Sequence, residues 1–465
     1  MVQHYDLVVI GSGPAGEKGA AMAAYFGKKV AIVERSPYLG GASMNTGTVP
    51  SKTLRETALY FSGLRQRGLF GIDYSLRDNL TVADFLHREQ AVVEKERTII
   101  RANLDKHKID IYWGAGSFKD EHTVLVTAQT GEPVELSAEI VLIATGSAPF
   151  HPTGIAFDGV RVHDSDTILR MSFIPNTMVV VGGGVIGCEY ASIFAALGVK
   201  VTLVESRDHL LPFVDREIVN RLREQLARLD LHIIFNQHIE TVENSDQSVQ
   251  LVLGDSTALS CDCVLFASGR SGATNTLGLE KLSIEIGQRG LIIVNHDYQT
   301  NLPHIYAAGD VIGFPALAST SMEQARRAIG HGFGLRFKYG DPSSIPLAVY
   351  TIPEIAMVGL TEEECQQKNI PYLVGRALYE NNPRGQIVGD MSGMVKIIFS
   401  PADKKVLGIH HIGEMASELI HLGADVLTRS GTIEDFIQAV YNFPTLSDLY
   451  KYAAYDGLST LDGHH

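Results

Sequence analysis

The sequence predicts an α/β protein with two parallel-sheet units and an α+β domain at its C-terminal end. Three observations carry this. A β-rich run, a glycine-rich turn, a helical stretch and a second β-rich run follow one another from Tyr5 to Glu34. The same order returns from Thr177 to Glu205. Beyond about residue 346 strands and helices continue with no glycine turn of that kind, so the chain changes character there.

Size and composition agree. At 465 residues the chain exceeds what one core supports. Hydrophobic residues at 45% and charged residues at 20% describe a globular protein rather than a disordered or membrane one. A net charge of −14 gives no general attraction for nucleic acid or anionic lipid. The start, Met1-Val2-Gln3-His4-Tyr5-Asp6, has no basic region and runs straight into a strand, so no signal peptide is expected. No apolar run reaches the roughly 20 residues of a membrane helix. Four scattered cysteines (Cys188, Cys261, Cys263, Cys365) make no disulfide framework, and the expected compartment is the cytoplasm. Cys261 and Cys263 stand two apart in one predicted alternating strand, which leaves a pair of metal ligands as a minor alternative; no metal is expected.

The elements follow in order. Tyr5–Ile10 is a strand, Gly11-Ser12-Gly13-Pro14-Ala15-Gly16 a turn, and a small-residue helix runs through Tyr25. Val30–Val33 is a strand ending at Glu34. Each glycine has a job: Gly11 makes the tight turn, Gly13 lets backbone approach a pyrophosphate, and Gly16 lets helix and strand pack closely. The helix start then offers N–H groups to phosphate, and Glu34 can accept from a ribose hydroxyl. This is a Rossmann-like dinucleotide-binding unit. The second copy has its strand at Thr177–Val181, its turn at Gly182-Gly183-Gly184-Val185-Ile186-Gly187, its helix at Cys188–Leu197 and its last strand at Val201–Val204, closed by Glu205. In both copies the acid stands 23 residues after the first glycine, Gly11 to Glu34 and Gly182 to Glu205. Two such units in one chain imply two dinucleotides and electron transfer between them.

Between the copies, Thr53–Leu69 and Val82–Lys108 read as helices, and Ile109–Trp113, Val124–Thr127 and Val134–Leu136 as a small β layer. Ile140–Ile143 is a strand leading to Thr145-Gly146. Asp164 and Asp166 suggest either acid–base chemistry or, more simply, a turn and helix cap. Ile233–Ser260 alternates as hairpins, and Val264–Ala267 is a strand before Gly269-Arg270. Thr300 to Asp310 is a strand that sets a carboxylate beside Gly309, and Gly313 to about Gly334 is a helix. Pro342–Pro346 reads as a linker. Val349–Glu354, Tyr372–Arg376, Met394–Phe399 and Val406–Gly413 are strands of the last domain, with helices at Ser417–Leu427 and Ile433–Val440. The domains expected are 1–150, 151–275, 276–345 (completing the first) and 346–465.

One stretch joins these parts: Gly40-Gly41-Ala42-Ser43-Met44-Asn45-Thr46-Gly47-Thr48-Val49-Pro50-Ser51-Lys52. With the two glycine turns it resembles the pyridine nucleotide–disulfide oxidoreductases, flavoproteins of glutathione-reductase-like fold, over nearly the whole chain. The resemblance implies FAD on Gly11, Gly13, Gly16, Glu34, Arg35, Gly41, Ser43, Thr48, Thr145, Gly146 and Asp310. It implies NAD(P)H, as substrate, on Gly182, Gly184, Ile186, Gly187, Glu205, Arg207 and Gly269. It further implies catalytic Lys52 beside the flavin, paired with Glu189 beside the nicotinamide; the plainer reading makes both mere helix-start residues. The last domain resembles the family's dimer-interface domain, which implies a homodimer or higher homo-oligomer.

Two departures carry information. The family's redox cysteines are Ser43 and Thr48 here, so no dithiol relay operates. Phe443-Pro444-Thr445-Leu446-Ser447-Asp448 stands where disulfide reductases have His-Pro-Thr-Leu-Ser-Glu, so the thiol's base is gone too. In Thr46–Lys52, Gly183–Ser192, Gly269–Gly272 and Tyr441–Thr445 the chain resembles the transhydrogenase branch, whose members move a hydride equivalent between NADPH and NAD+. That branch generally keeps the first cysteine and tends to have tyrosine at position 443. Glu205 favours a free ribose 2′-hydroxyl, whereas Arg207 can pair with a 2′-phosphate, and use of both nucleotides is expected to depend on that loop turning. Two other readings stand: an NAD(P)H oxidase or diaphorase passing electrons to oxygen, a quinone or a protein carrier, and a flavin-bearing binding protein without catalysis.

Overall fold

The computed structural model describes residues 2–63, 81–128, 130–335 and 345–461. They fall into two compact units. One comprises Met1–Thr53, Leu86–Pro152 and Ser268–Tyr339; the other comprises Leu54–Phe85, Thr153–Ala267 and Gly340–His465.

Among the described residues, the first unit is built on a seven-stranded sheet. Its order is Asp110–Trp113, Val30–Glu34, Gln3–Ile10, Val134–Ile143, Thr123–Thr127 and Ala115–Asp120, and Ile305–Ala307 also pairs with Val134–Ile143. The strands nearest the fingerprint are parallel, and the Thr123–Thr127 hairpin is antiparallel. Successive residues of Gln3–Ile10 serve opposite cores, as a pleated strand covered on both faces requires. Leu7 and Val9 pack among Ala20, Ala23, Ala325 and Ile329, while Val8 and Ile10 pack among Phe118, Val124 and Leu277. Helices Pro14–Tyr25 and Ala318–Gly332 cover the first face closely: a methyl on Gly19 would lie 2.7 Å from Leu142 and 3.3 Å from Ala325.

The expected small β layer is not separate. Asp110–Trp113 extends the parallel sheet beside Val30–Glu34, and Val134–Ile143 is one continuous strand that pairs with the hairpin and with Gln3–Ile10. Length explains this, because a ten-residue strand reaches two sets of neighbours. The long helix is Val82–Lys106. The helix expected at Thr53–Leu69 begins earlier, as Thr48–Phe61, and its expected end lies outside the described residues. The helix expected from Gly313 starts at Ala318, after a turn through cis Phe314–Pro315. Most of the Pro342–Pro346 linker is likewise outside the described residues.

The second unit holds three sheets among its described residues. A five-stranded parallel sheet runs His232–Ile234, Lys200–Val204, Thr177–Val181, Cys263–Phe266 and Val162–Asp164. His232–Ile234 is therefore an edge strand of this sheet and not the start of the hairpins, which occupy Ile239–Asn244, Val249–Leu253 and Ala258–Cys261. Cys261 and Cys263 end and begin different strands, and both are buried, so the expected single alternating strand is broken at Asp262. Asp164 accepts from the backbone N–H of Asp166 and Thr167, which makes it a turn former ahead of the short 3-10 turn Ile168–Arg170. The third sheet, antiparallel, runs Leu347–Val349, Ile355–Gly359, Val406–Ile412, Met394–Phe399 and Leu373–Leu378. Helices Ala416–Thr428 and Leu449–Leu461 belong to the same domain. No helix among the described residues is long and apolar enough to cross a membrane.

Candidate cofactor and nucleotide sites

The first glycine turn needs its glycines where the sequence predicts. Gly11 has φ +104°, a region that L side chains rarely adopt, and a methyl there would lie 2.3 Å from the Ala144 carbonyl oxygen. A methyl on Gly16 would fall 1.9 Å from the Gly11 carbonyl oxygen, which no side chain survives. Gly13 caps helix Pro14–Tyr25 with no side-chain hydrogen bond, so the first-turn N–H groups are left for a ligand. Glu34 is buried. It accepts from the Ser12 N–H at 2.8 Å, the Ser12 hydroxyl at 2.6 Å and the Ser36 N–H at 2.7 Å. Arg35 beside it is exposed.

The rest of this site assembles around the turn. Gly40 donates its N–H to the Ser12 carbonyl and hydroxyl, both at 3.2 Å. Gly41, at φ +57°, passes so close to Gly13 that a methyl on it would lie 2.8 Å from the Gly13 Cα. Ser43 sits in the short helix Gly41–Asn45, buried, whereas Thr48 opens helix Thr48–Phe61 and is exposed. Lys52 is half-buried and donates to the Ser51 hydroxyl at 3.3 Å. Thr145 and Gly146 follow strand Val134–Ile143, and Gly146 (φ +69°) faces open space. Asp310 accepts from the Ser147 hydroxyl at 2.9 Å, and Arg270 donates to that hydroxyl at 2.7 Å and to the Ser147 carbonyl at 2.8 Å. Gly269, at φ +98°, belongs to this unit as well.

These residues fit FAD. The Ser43 Oγ and Thr145 Oγ1 atoms are buried with no hydrogen-bond partner among the described residues. A buried hydroxyl left so costs about 1–3 kcal/mol, and a polar ligand supplying partners removes that cost. The uncapped helix start, the glycine backbone and the Asp310 carboxylate provide anion and hydroxyl contacts for a dinucleotide.

The second turn repeats the first. Gly182 has φ +108°, and a methyl on Gly187 would lie 1.8 Å from the Gly182 carbonyl oxygen. Gly184 caps helix Val185–Ala196 without a side-chain bond, and nothing lies within 4 Å of where its Cβ would be. Ile186 is half-buried on the first turn of that helix. Glu205, 2% exposed, accepts from the Gly183 N–H at 2.5 Å, as Glu34 does from Ser12. Here a further group intervenes: Arg207 donates Nε to Oε1 and Nη2 to Oε2 of Glu205, both at 2.8 Å. Burial alone would raise the Glu205 carboxyl, but donors from Arg207 and Gly183 hold it at about 2.

Glu189 lies in the second unit on helix Val185–Ala196, buried. Its carboxylate accepts the Tyr350 N–H at 2.9 Å. Ser192, one turn on, donates to the Glu189 carbonyl at 2.8 Å and accepts from the Ile352 N–H at 3.2 Å. Tyr350 and Ser192 thus position Glu189, and sequence patterning missed both. So did it miss Ser147, which links Arg270 to Asp310. No local spacing signals such partners.

Known proteins resemble this chain along nearly its whole length. The family model described as pyridine nucleotide-disulphide oxidoreductase matches residues 5–332, and the model of the same family's dimerisation domain matches residues 345–454. A protein named soluble pyridine nucleotide transhydrogenase from Mycobacterium bovis is 45% identical over 461 residues, covering 99% of this chain and 98% of that protein. One so named from a Marinomonas species is 40% identical, covering 98% of this chain and 99% of its own. Among solved structures, LpdA from Mycobacterium tuberculosis superposes with a TM-score of 0.90 at 27% identity, covering 98% of this chain and 99% of that one. The HOCl-induced flavoprotein disulfide reductase RclA from Escherichia coli, solved as a Cu(II) complex, gives 0.87 at 28% identity, covering 97% and 99%. With both sets of domains matched along the chain, the protein belongs to the pyridine nucleotide-disulphide oxidoreductase family.

Proposed function

We propose that this protein exchanges a hydride between NADPH or NADH and NAD(P)+, as a soluble pyridine nucleotide transhydrogenase. As a member of its family it is an FAD-dependent oxidoreductase that uses NAD(P)H. The observation that carries the narrower reading is the pairing of two intact dinucleotide turns with Ser43 and Thr48 where a disulfide reductase needs thiols. Neither hydroxyl accepts electrons. Bound FAD supplies the two-electron chemistry that allows one nucleotide to be oxidised before the next is reduced.

The chain's own residues do the rest. The helix start at Gly13 and the carboxylates of Glu34 and Asp310 hold the flavin dinucleotide, and the helix start at Gly184 holds the pyrophosphate of the nicotinamide nucleotide. Lys52 supplies a positive charge on the flavin side, and Glu189, fixed by the Tyr350 N–H, a carboxylate on the nicotinamide side. In the net exchange one hydride leaves C4 of one nicotinamide and arrives at C4 of another, so no proton is gained or lost and no thiol base is required. Phe443 in the place of a titratable residue suits this.

By this reading, segments 1–150 and 276–345 hold FAD, 151–275 holds NAD(P)(H), and 346–465 joins two copies as a homodimer. Relatives named as soluble enzymes and four buried, unpaired cysteines support a cytoplasmic protein.

Anaerobic stopped-flow tests the reading. NADH and NADPH are each expected to bleach the flavin in a single turnover, and NAD+ or its thio-analogue to restore the colour. If oxygen or a quinone reoxidises the enzyme rapidly and NAD+ does not, the protein is an oxidase or diaphorase. If neither reductant bleaches it, the protein only carries its flavin.

A further inference from the structure

The ribose end of the second site carries a paired acid and base. We propose that Glu205 and Arg207 form an internal latch that lets this one site accept both NAD(H) and NADP(H), with the Arg207 side chain as the moving part. The proposal rests on the reading of the second glycine turn as a nicotinamide-nucleotide site.

The Glu205 carboxylate is saturated in the closed latch. Its Oε2 accepts from the Gly183 N–H at 2.5 Å and Arg207 Nη2 at 2.8 Å. Its Oε1 accepts from Arg207 Nε at 2.8 Å, the Arg207 N–H at 2.9 Å and the Ser206 hydroxyl at 3.1 Å. Five donors occupy about four lone-pair positions, so no acceptor is left for a ribose diol. A planar guanidinium fork holds two of these donor positions, the geometry that also suits phosphate.

The two partners differ in freedom. Glu205 is 2% exposed, whereas the Arg207 side chain is 43% exposed. When the fork leaves, Glu205 keeps the Gly183 N–H, the Arg207 N–H and the Ser206 hydroxyl, so it is not stranded as a bare buried charge. The backbone is tied: Asn236 donates its N–H to the Arg207 carbonyl and Gln237 to the Glu205 carbonyl, both at 3.1 Å, and Leu211 donates to the Gly183 carbonyl at 2.9 Å. The backbone of the loop is thus tied by these bonds, and the selection falls to the one side chain that is free of them. With NAD(H), the opened fork frees a position on Oε2 of the carboxylate to accept a ribose hydroxyl. With NADP(H), the fork turns onto the 2′-phosphate and screens it from Glu205. A fixed acid alone would repel that phosphate, and a fixed arginine alone would forgo the diol.

Binding of two fragments that lack nicotinamide, and so cannot react, tests the latch on FAD-loaded enzyme. Calorimetry would measure ADP-ribose and 2′-phospho-ADP-ribose on the wild type, Arg207→Ala, Arg207→Lys and Glu205→Gln. The wild type is expected to bind both. Arg207→Ala is expected to weaken the phosphorylated fragment at least ten-fold and to leave ADP-ribose unchanged or severalfold tighter. Arg207→Lys, which keeps charge but not the fork, should fall between, and Glu205→Gln should favour the phosphorylated fragment. Raising salt should weaken that fragment more than ADP-ribose, which lacks the extra phosphate. Equal loss of both fragments in Arg207→Ala, or no loss of either, overturns the latch and leaves the nucleotide site standing. Failure of the wild type to bind either fragment overturns the site assignment itself.

Discussion

Ser43 is the residue at which the loss of the thiols has a thermodynamic consequence. Its hydroxyl is buried without a partner among the described residues, as is that of Thr145. In the flavin-free protein, Ser43→Ala should therefore raise stability, by about 1 kcal/mol at the lower end of the cost of an unpaired buried hydroxyl. If FAD supplies the missing partner, the same substitution should weaken FAD binding by roughly ten-fold, about 1.4 kcal/mol. Urea unfolding of the apoprotein and FAD titration measure the two effects, and a stabilised apoprotein with unchanged flavin affinity would show that the hydroxyl does not face the cofactor. Glu205 makes a second prediction at this scale. Its carboxyl is held at about 2, below the ordinary value near 4.3, so its contribution to stability is complete above that ordinary value and is lost only as pH falls toward 2. Across pH 5–9 the nucleotide selectivity should then show no carboxylate titration; the change near pH 6 expected for a 2′-phosphate should be the one seen. A midpoint between 4 and 5 in the ADP-ribose affinity would contradict this.

At the scale of elements, the decisive positions are those where a helix and the preceding strand leave no room for a side chain. Gly187→Ala would force a methyl to 1.8 Å from the Gly182 carbonyl oxygen, a backbone atom that cannot swing aside. A loss of 3 kcal/mol or more, on the order of severe overpacking, is expected, with nucleotide binding abolished before FAD is lost. Differential scanning fluorimetry with flavin emission would record both. Such positions were legible in the sequence because their causes are local: a glycine is needed within six residues of the one it touches. The same holds for Glu34 and Glu205, each at the end of the strand that the turn feeds. Tyr350 and Ile352 escaped because they reach Glu189 and Ser192 from about 160 residues away through backbone N–H groups, which any residue type provides. Lys396 escaped for the opposite reason, since it interrupts an apolar strand and looks like a solvated position. Instead it is fully buried among Asp215, which caps helix Arg216–Arg228, Glu217, and Glu362 at the start of helix Glu362–Gln367. Burial lowers the lysine's affinity for its proton, but the three carboxylates outweigh that and raise it; burial likewise raises Glu217, and Arg376 and Lys396 bring it below its usual range. The share carried by Asp215 and Glu217, both held below their ordinary values, is present above about pH 4.3 and lost as pH falls through those lowered values. Lys396→Met should cost about 3–5 kcal/mol at pH 7.5, as for a buried charge stripped of its partner, and markedly less near pH 4. Urea midpoints at the two pH values decide it, and an equal loss at both would mean that packing, not charge, dominates.

For the whole molecule, the question is what covers the apolar surface of residues 345–461. Val440 is 94% exposed, Phe443 66% and Ile387 63%, all within or just beside elements matched by the family's dimerisation model. Burying a side chain of this size contributes about 1.5–3 kcal/mol, and a two-fold interface uses each patch twice. Opposing this, each copy carries a net charge of −14, and like charges on two approaching chains repel over about 10 Å at 0.1 M salt. An interface closed by apolar contact against that repulsion should tighten, not loosen, as salt rises from low to physiological strength. Val440→Asp places one more negative charge on each side of the contact and removes the apolar gain. On the proposed dimer this should raise the dissociation constant at least a hundred-fold, a change of roughly 3 kcal/mol, so that sedimentation at about 1 μM is expected to find dimers for the wild type and monomers for the variant. Val160→Asp is the control: the same change at a half-exposed valine outside the matched domain should keep the wild-type mass. Retained flavin absorbance in both variants would show that they fold. Should Val440→Asp sediment like the wild type, this surface is not what joins the copies, and the apolar side chains around Val440 serve some other contact.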